Sequence, residues 1–202
     1  MFPALMQSAA ALRPSRVWSL PNILTYGRVL AVPLVVGFLL RPDEIWMRWT
    51  AFGIFAAAGV TDFFDGYLAR VWQQQSSLGR MLDPIADKLL VSASLLALAA
   101  AGTFGGWSIW AAIIILCREI LVSGLREFLA ELRVSLPVSW IAKWKTTVQI
   151  LALGFLIVGP AGEAVLPGTV TIGLTLLWMA ALLTLYTGAD YMISGFKHAA
   201  DG

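Results

Sequence analysis

The sequence has 202 residues, of which 59% are hydrophobic and 13% are charged, and its mean hydropathy is +0.80. Soluble domains carry about 25% charged residues, so the composition argues against a large soluble core. The net charge of +2 gives no reason to expect nucleic-acid binding, and the single cysteine, Cys117, rules out an intramolecular disulfide. Because the apolar residues fall in long runs, the chain is predicted to be an all-α, polytopic membrane protein.

Residues 1–20 differ from the rest of the chain in mixing apolar and basic side chains. Arg13 and Arg16 lie among leucines, and Trp18 follows them closely. This composition is typical of a short helix that lies on the membrane surface with its tryptophan at headgroup depth. A frayed tail would have the same composition, so both interpretations stay open.

Six long apolar segments follow within residues 21–202, which are predicted to form one transmembrane domain. Each segment is long enough to cross roughly 30 Å of hydrocarbon. They are predicted at about Pro21–Leu40, Ile45–Arg70, Met81–Ala101, Trp107–Leu129, Trp140–Val158 and Thr169–Phe196.

Basic residues are distributed unevenly between the two sides of these predicted helices. One side collects Arg13, Arg16, Arg70, Arg80, Arg126, Arg133, Lys143, Lys145 and Lys197, whereas the other side has Arg41 and Arg48. Short cytoplasmic loops carry the excess of lysine and arginine in membrane proteins. Both termini are therefore predicted to face the cytoplasm.

Four of the seven aspartates occur within one short segment. Asp62 and Asp65 end the second predicted helix, and Asp83 and Asp87 begin the third. Spacings of three and four residues place each pair on one face of its helix, and a helical hairpin brings the two pairs together. Ionised carboxylates in membrane helices are costly and would repel one another. Bound metal is the simplest remedy, and all-oxygen ligands favour Mg²⁺ or Mn²⁺.

The residues interleaved with these aspartates suit a ligand. Gly66, Ala69 and Gly79 let helices approach closely and leave room beside the backbone. Arg70 adds a cation that is suited to a phosphate, although it could equally serve as a topology anchor. The alternative without a metal site is that the aspartates are ordinary helix-end residues in the hydrated headgroup region of the membrane.

The segment Asp62–Asp87 resembles the signature of the CDP-alcohol phosphotransferase family, D-x2-D-G-x2-A-R-x8-G-x3-D-x3-D, at all eight fixed positions. The opening segment Leu20–Arg28 is similar to that of the family as well. The resemblance implies a six-helix membrane fold, a homodimer in the bacterial inner membrane, and an active site at the cytoplasmic face that holds two Mg²⁺ or Mn²⁺ ions.

The resemblance also implies roles for the matched residues. Asp62, Asp65, Asp83 and Asp87 would hold the metal ions, and Asp87 would also be the catalytic base. The pocket for the CDP-lipid would be formed by Asn22, Thr25, Gly66, Ala69, Arg70, Ser76 and Gly79.

Two further segments, Arg118–Glu127 and Lys143–Gln149, are similar to those of family members that transfer a phosphatidyl group from CDP-diacylglycerol to glycerol 3-phosphate. A charge such as Arg118 well inside a membrane helix is costly and usually functional. With Arg126, Lys143 and Lys145, it could form a basic pocket for the acceptor's phosphate. The arginines could instead pair with Glu119, Glu127 and Glu131 in structural salt bridges, and the lysines could be topology anchors.

Other functions stay open on the sequence alone. A cardiolipin synthase or an enzyme that uses inositol phosphate would share the aspartate motif and differ in the acceptor pocket. A cation transporter could also use intramembrane carboxylates, but it would place them near the midplane on broken helices. Arg28 lies in the first predicted helix, where it could contact either the substrate or a carboxylate.

Overall fold

The computed structural model of the chain describes residues 20–41, 44–72, 77–131 and 140–200. It describes their side chains except those of residues 20, 21, 63–72, 77, 78, 80, 131, 142, 143, 190 and 194–200. The surface helix predicted over residues 1–20 therefore lies outside the described part of the chain, apart from its last residue.

Six α-helices make up the described chain, as the apolar segments predict. They are α1 (Leu20–Leu39), α2 (Ile45–Trp72), α3 (Ser77–Ala100), α4 (Ser108–Glu131), α5 (Trp140–Val158) and α6 (Thr169–Ala200). Helices α1, α4, α5 and α6 each contain an apolar stretch that is long enough to span a membrane. Helices α2 and α3 carry the aspartate motif and have 28 and 24 residues, which exceeds the roughly 20 that a span needs.

The helix ends differ from the predicted ones where polar residues flank an apolar run. Helix α3 begins at Ser77 instead of Met81, so Asp83 and Asp87 lie about one turn deeper in the helix than expected. Helix α6 continues to Ala200, about one turn beyond the predicted Phe196. Hydropathy marks where the apolar run stops, whereas the backbone hydrogen bonds of a helix continue through adjacent polar residues.

The helices pack as two groups that meet at α5. Helix α1 packs against α2 and α3, and α6 packs against α4 and α5, while α5 also contacts α2 and α3. The core combines large side chains with alanines at close helix crossings; its members include Val35, Leu39, Ala51, Leu95, Leu98, Ala111, Ile115, Leu153, Leu156, Leu177, Ala180 and Ala181. Small residues allow the close backbone approach on which van der Waals packing between membrane helices depends.

We call the end of the bundle that carries Asp62 and Asp83 the aspartate end, and the opposite end the far end. At the far end, the buried Arg48 of α2 caps the C-terminus of α5. Its Nη1 donates to the carbonyl oxygens of Leu156 (3.5 Å) and Ile157 (3.3 Å), and its Nη2 donates to Oγ1 of Thr103 (2.9 Å). The last carbonyls of a helix have no partner within the helix and carry its negative dipole. Arg48 therefore ties α2, α5 and the α3–α4 connection together.

Gly159 is adapted to this cap. Its φ of +50° lies in the left-handed region that favours glycine. A Cβ atom added there would lie only 2.6 Å from Nη1 of Arg48. The glycine thus ends α5 and leaves room for the guanidinium group.

The connection between α5 and α6 contains a second cap at the far end. The carboxylate of Glu163 accepts hydrogen bonds from the backbone N–H groups of Gly168 (2.6 Å) and Val170 (3.0 Å). These bonds favour the ionised form and lower the pKa of Glu163. They fix the N-terminus of α6, where a negative charge also suits the helix dipole.

Candidate active site

The aspartate motif lies on the last turns of α2 and the first half of α3. Among the described side chains, that of Asp62 is 48% exposed, Asp83 is half-buried and Asp87 is exposed. Asp65, Gly66, Ala69 and Arg70 are described by backbone alone, and Ser76 lies outside the described residues. Among the described side chains, no three Asp, Glu, His or Cys residues form a group that could hold a metal ion. The side chain of Asp65 is not among those described.

Helix α1 contacts one aspartate on each of the two motif helices. The buried Arg28 pairs with Asp62, with 2.6 Å between Nη1 and Oδ1. Oγ1 of Thr25, also buried, donates to Oδ1 of Asp83 over 2.5 Å. Arg28 is therefore a carboxylate partner, which answers the question that the sequence left open. Asn22 and Gly79, from the predicted CDP-lipid pocket, are buried at the same end.

The carboxylates suit a divalent cation. Asp62 and Asp87 are both accessible to solvent and can present oxygen atoms to an ion. Oxygen ligands of this kind are preferred by Mg²⁺ and Mn²⁺. The guanidinium of Arg28 compensates part of the negative charge, so the site does not depend on metal alone for charge balance.

Asp87 lies near the aspartates and a second charged cluster. Its charge interacts with those of Asp62 and Arg28 and with those of Glu119 and Lys145. Asp87 is therefore near enough to both groups of charges to be influenced by each of them.

The second cluster joins α4, α5 and α6 around Glu119. The carboxylate of Glu119 accepts a short hydrogen bond from the buried Lys145 of α5. It also pairs with Nη1 of Arg118 over 3.3 Å. Glu119 is therefore shared by two of the predicted acceptor-binding cations. The salt bridge between Arg118 and Glu119 that the sequence left open is therefore present. Because Glu119 also pairs with Lys145, its single negative charge is shared by two cations.

Helix α6 contributes two side chains to this cluster that sequence reasoning did not identify. Nη2 of Arg118 donates to Oγ1 of Thr187 over 3.2 Å. The guanidinium carbons of Arg118 and Arg126 lie 5.9 and 5.8 Å from the centre of the Tyr191 ring. The available signal was their spacing of four residues, which places a hydroxyl and a phenol on one face of the helix. The backbone alone is described for Lys143.

A further contact that the sequence did not suggest links α3 to α4. Lys88, next to Asp87, donates a short hydrogen bond to Oγ of Ser123. This bond fixes the turn of α3 that carries Asp87 against the helix that carries Arg118.

An apolar groove of about 710 Å³ lies between α2 and α5. It extends from Trp49 and Thr169 at the far end to Val60 and Ile150. Val60 precedes Asp62 by two residues, so the groove ends close to the aspartate motif. Gly59 lies in its wall, where a Cβ atom would meet no other atom within 4 Å.

Comparison with known proteins gives a consistent family. The family described as CDP-alcohol phosphatidyltransferase matches residues 18–186. A relative from Cereibacter sphaeroides, CDP-diacylglycerol–glycerol-3-phosphate 3-phosphatidyltransferase, is 40% identical over 91% of this chain and 98% of its own. A protein of the same name from Rickettsia typhi is 42% identical over 86% of this chain and 94% of its own. Another from Shigella flexneri serotype 5b is 39% identical over 87% of this chain and 93% of its own.

The family match covers most of the chain and includes the aspartate motif, the α1 contacts, and Arg118, Glu119 and Lys145 of the second cluster. The resemblance predicted from Asp62–Asp87 is confirmed. The chain is a multi-pass membrane protein that belongs to the CDP-alcohol phosphatidyltransferase family.

Proposed function

We propose that the protein transfers the phosphatidyl group of CDP-diacylglycerol to glycerol 3-phosphate, giving phosphatidylglycerophosphate and CMP. Three relatives of about 40% identity over nearly their full length carry the name of this activity. The observation that carries the proposal is the position of Asp87: it lies one helical turn from Asp83, and its neighbour Lys88 bonds to Ser123 on the helix that carries Arg118. This position lets one carboxylate serve a diphosphate on one side and a phosphorylated alcohol on the other.

The aspartates are the proposed ligands of the divalent metal that the family uses. Asp62, Asp65, Asp83 and Asp87 would hold two Mg²⁺ or Mn²⁺ ions, which would neutralise the diphosphate and the departing CMP. Thr25 fixes the orientation of Asp83 through its hydrogen bond. Arg28 holds Asp62 and limits the repulsion among the carboxylates.

The cytidine diphosphate would lie along the first turns of α1 and α3 and the last turns of α2. Asn22 and Thr25 border this region on α1, and Gly79 borders it on α3. The proposed pocket also includes Gly66, Ala69, Arg70 and Ser76, as the family signature implies. The small residues allow close approach of the ligand, and Arg70 supplies a cation for a phosphate.

The proposed reaction is an in-line attack of the acceptor's primary hydroxyl on the β-phosphorus of CDP-diacylglycerol. Asp87 accepts the hydroxyl proton as the new P–O bond forms. The bond between this phosphorus and the bridging oxygen breaks, and CMP leaves with that oxygen. Arg118, Arg126, Lys143 and Lys145 would bind the phosphate of the acceptor and hold its hydroxyl toward Asp87.

The groove between α2 and α5 is proposed to hold an acyl chain of the lipid substrate. Its lining is apolar apart from Thr169, and it ends two residues from Asp62. A CDP-diacylglycerol molecule with its diphosphate at the motif would direct its acyl chains toward the bilayer interior. We further propose that the aspartate end faces the cytoplasm of a bacterial cell, since the basic residues collect there, and that the protein is a homodimer.

Filling the groove is expected to weaken lipid binding. A Gly59→Leu substitution adds a side chain to the groove wall without a backbone clash, and we expect the apparent KM for CDP-diacylglycerol to rise about tenfold. Gly53→Leu is the matched control, because Gly53 lies on the same helix, also has open space around it and does not line the groove. Equal kinetics of the two variants would show that the groove does not bind substrate.

The activity itself is tested by an acceptor screen on the purified protein. CMP release is measured with CDP-diacylglycerol and Mg²⁺ or Mn²⁺, in the presence of glycerol 3-phosphate, glycerol, inositol phosphate or phosphatidylglycerol. Release that depends on glycerol 3-phosphate is the expected result. Release with a different alcohol alone would contradict the acceptor assignment, and no release with any of them would contradict the proposed chemistry.

A further inference from the structure

Two arginines of α4 converge on one side chain of α6. Arg118 and Arg126 are eight residues apart, which separates their backbones by about 12 Å along the helix. Their guanidinium carbons nevertheless both lie within 6 Å of the centre of the Tyr191 ring. The ring is buried, with 6% of the residue exposed. The face of an aromatic ring attracts cations, so the Tyr191 ring is placed to hold both guanidinium groups.

The remaining contacts of Arg118 restrict it to one position. Its Nη2 donates to Thr187, and its Nη1 pairs with Glu119. Its stem passes over Gly188 so closely that a Cβ atom there would lie 2.9 Å from its Cγ. Helix α6 therefore supplies a hydroxyl, a gap and a ring, at Thr187, Gly188 and Tyr191, that together fix this side chain.

This arrangement leaves hydrogen-bonding capacity for an anion. The Nε–H group of Arg118 is buried and has no acceptor among the side chains and backbone that the structure describes. A buried donor without a partner is costly, and a phosphate oxygen would satisfy it. Glu119 is already shared between Arg118 and Lys145, so an added dianion would improve the local charge balance.

We propose that Thr187, Gly188 and Tyr191 form a positioning face on α6 that holds Arg118 and Arg126 in the geometry that binds the phosphate of the acceptor. The proposal rests on the proposed function and extends it by assigning the last helix to acceptor specificity. These three are positioning residues, because they act through the two arginines and do not touch the reacting atoms.

The test separates acceptor binding from lipid binding and from the chemical step. Tyr191→Leu removes the ring face, and Thr187→Val removes the hydroxyl while keeping the side-chain shape. Each is expected to raise the KM for glycerol 3-phosphate about tenfold or more, with kcat and the KM for CDP-diacylglycerol unchanged. Tyr191→Phe keeps the ring and is expected to stay within about threefold of the wild-type KM.

Two substitutions on the same helix are matched controls. Tyr186→Leu changes an exposed tyrosine, and Thr175→Val removes a hydroxyl that bonds only to the carbonyl of Thr171 among the described residues. Neither is among the described hydrogen-bond, ion-pair or ring partners of the two arginines, so both are expected to keep the wild-type KM for glycerol 3-phosphate. A second readout is the rise in melting temperature that glycerol 3-phosphate alone produces, which Tyr191→Leu should diminish.

The outcomes distinguish the inference from the function on which it rests. If the wild type shows neither CMP release nor stabilisation with glycerol 3-phosphate, the proposed function fails and the inference fails with it. If the wild type responds and both Tyr191→Leu and Thr187→Val match it, the positioning face alone is overturned. If Tyr191→Leu does not fold, Thr187→Val decides, and a wild-type KM for glycerol 3-phosphate in that variant overturns the positioning face. A loss in kcat with an unchanged KM for glycerol 3-phosphate would also overturn it.

Discussion

Replacing Asp87 by Asn is expected to lower the rate of CMP release by about 10³-fold or more. The amide keeps the size of the side chain, but it cannot accept the proton of the acceptor hydroxyl, and it is a weaker ligand for a divalent cation. Asp87 also interacts with charges of both groups, Asp62 on one hand and Glu119 and Lys145 on the other. The rate is measured with purified protein at saturating substrates and metal.

The control for this experiment removes a carboxylate at the other end of the bundle. Glu163→Gln abolishes one negative charge in the α5–α6 connection, far from the motif, and is expected to keep activity within about twofold of wild type. Asp83→Asn should resemble Asp87→Asn. Wild-type turnover in both motif variants, with correct insertion of the protein, would refute the roles that we assign to these aspartates.

Replacing Arg48 by Met is expected to destabilise the protein by about 2–3 kcal/mol, which corresponds to a fall in Tm of about 5–10 °C. Met fills similar space, but it cannot donate to the last carbonyls of α5 or to Thr103. Those carbonyls would then lack a partner at the edge of the apolar region, where water is scarce. The Tm is measured in detergent, and the activity per folded molecule should be unchanged because Arg48 lies at the far end.

Arg41→Met provides the comparison for Arg48→Met. Arg41 is an exposed arginine at the same end of the bundle, and its replacement removes the same charge without breaking the α5 cap. We expect its Tm to stay within about 1–2 °C of wild type. A similar Tm for both variants would indicate that the cap of α5 contributes little to stability.

The number of helices and the aspartate motif could be predicted from the sequence because both depend on residues that are close together in the chain. Apolar runs bounded by polar connections define the six helices, and α5 has the predicted bounds. The motif has fixed spacings within 26 residues, and the family match confirms the resemblance that it predicts. The cation-transporter alternative is not supported by that match.

The partners of the charged residues could not be predicted, because they depend on how distant helices pack. Arg28 and Asp62 are 34 positions apart, and nothing local indicates that α1 lies against α2 at this depth. From the sequence, Arg48 is expected to be an ordinary basic residue at the end of a membrane helix, yet it is buried against α5. Thr187 and Tyr191 lie just beyond the end of the family match, and their contacts with Arg118 depend on how α6 packs against α4.

The groove between α2 and α5 has a kinetic consequence. Its occupant would arrive from the surrounding lipid and not from water, so the enzyme would sample its substrate in two dimensions. The relevant concentration is then the mole fraction of CDP-diacylglycerol in the membrane or micelle. Adding detergent at a constant total amount of this lipid should slow turnover by surface dilution, whereas diluting the whole suspension with buffer should change the rate per enzyme only through the water-soluble acceptor.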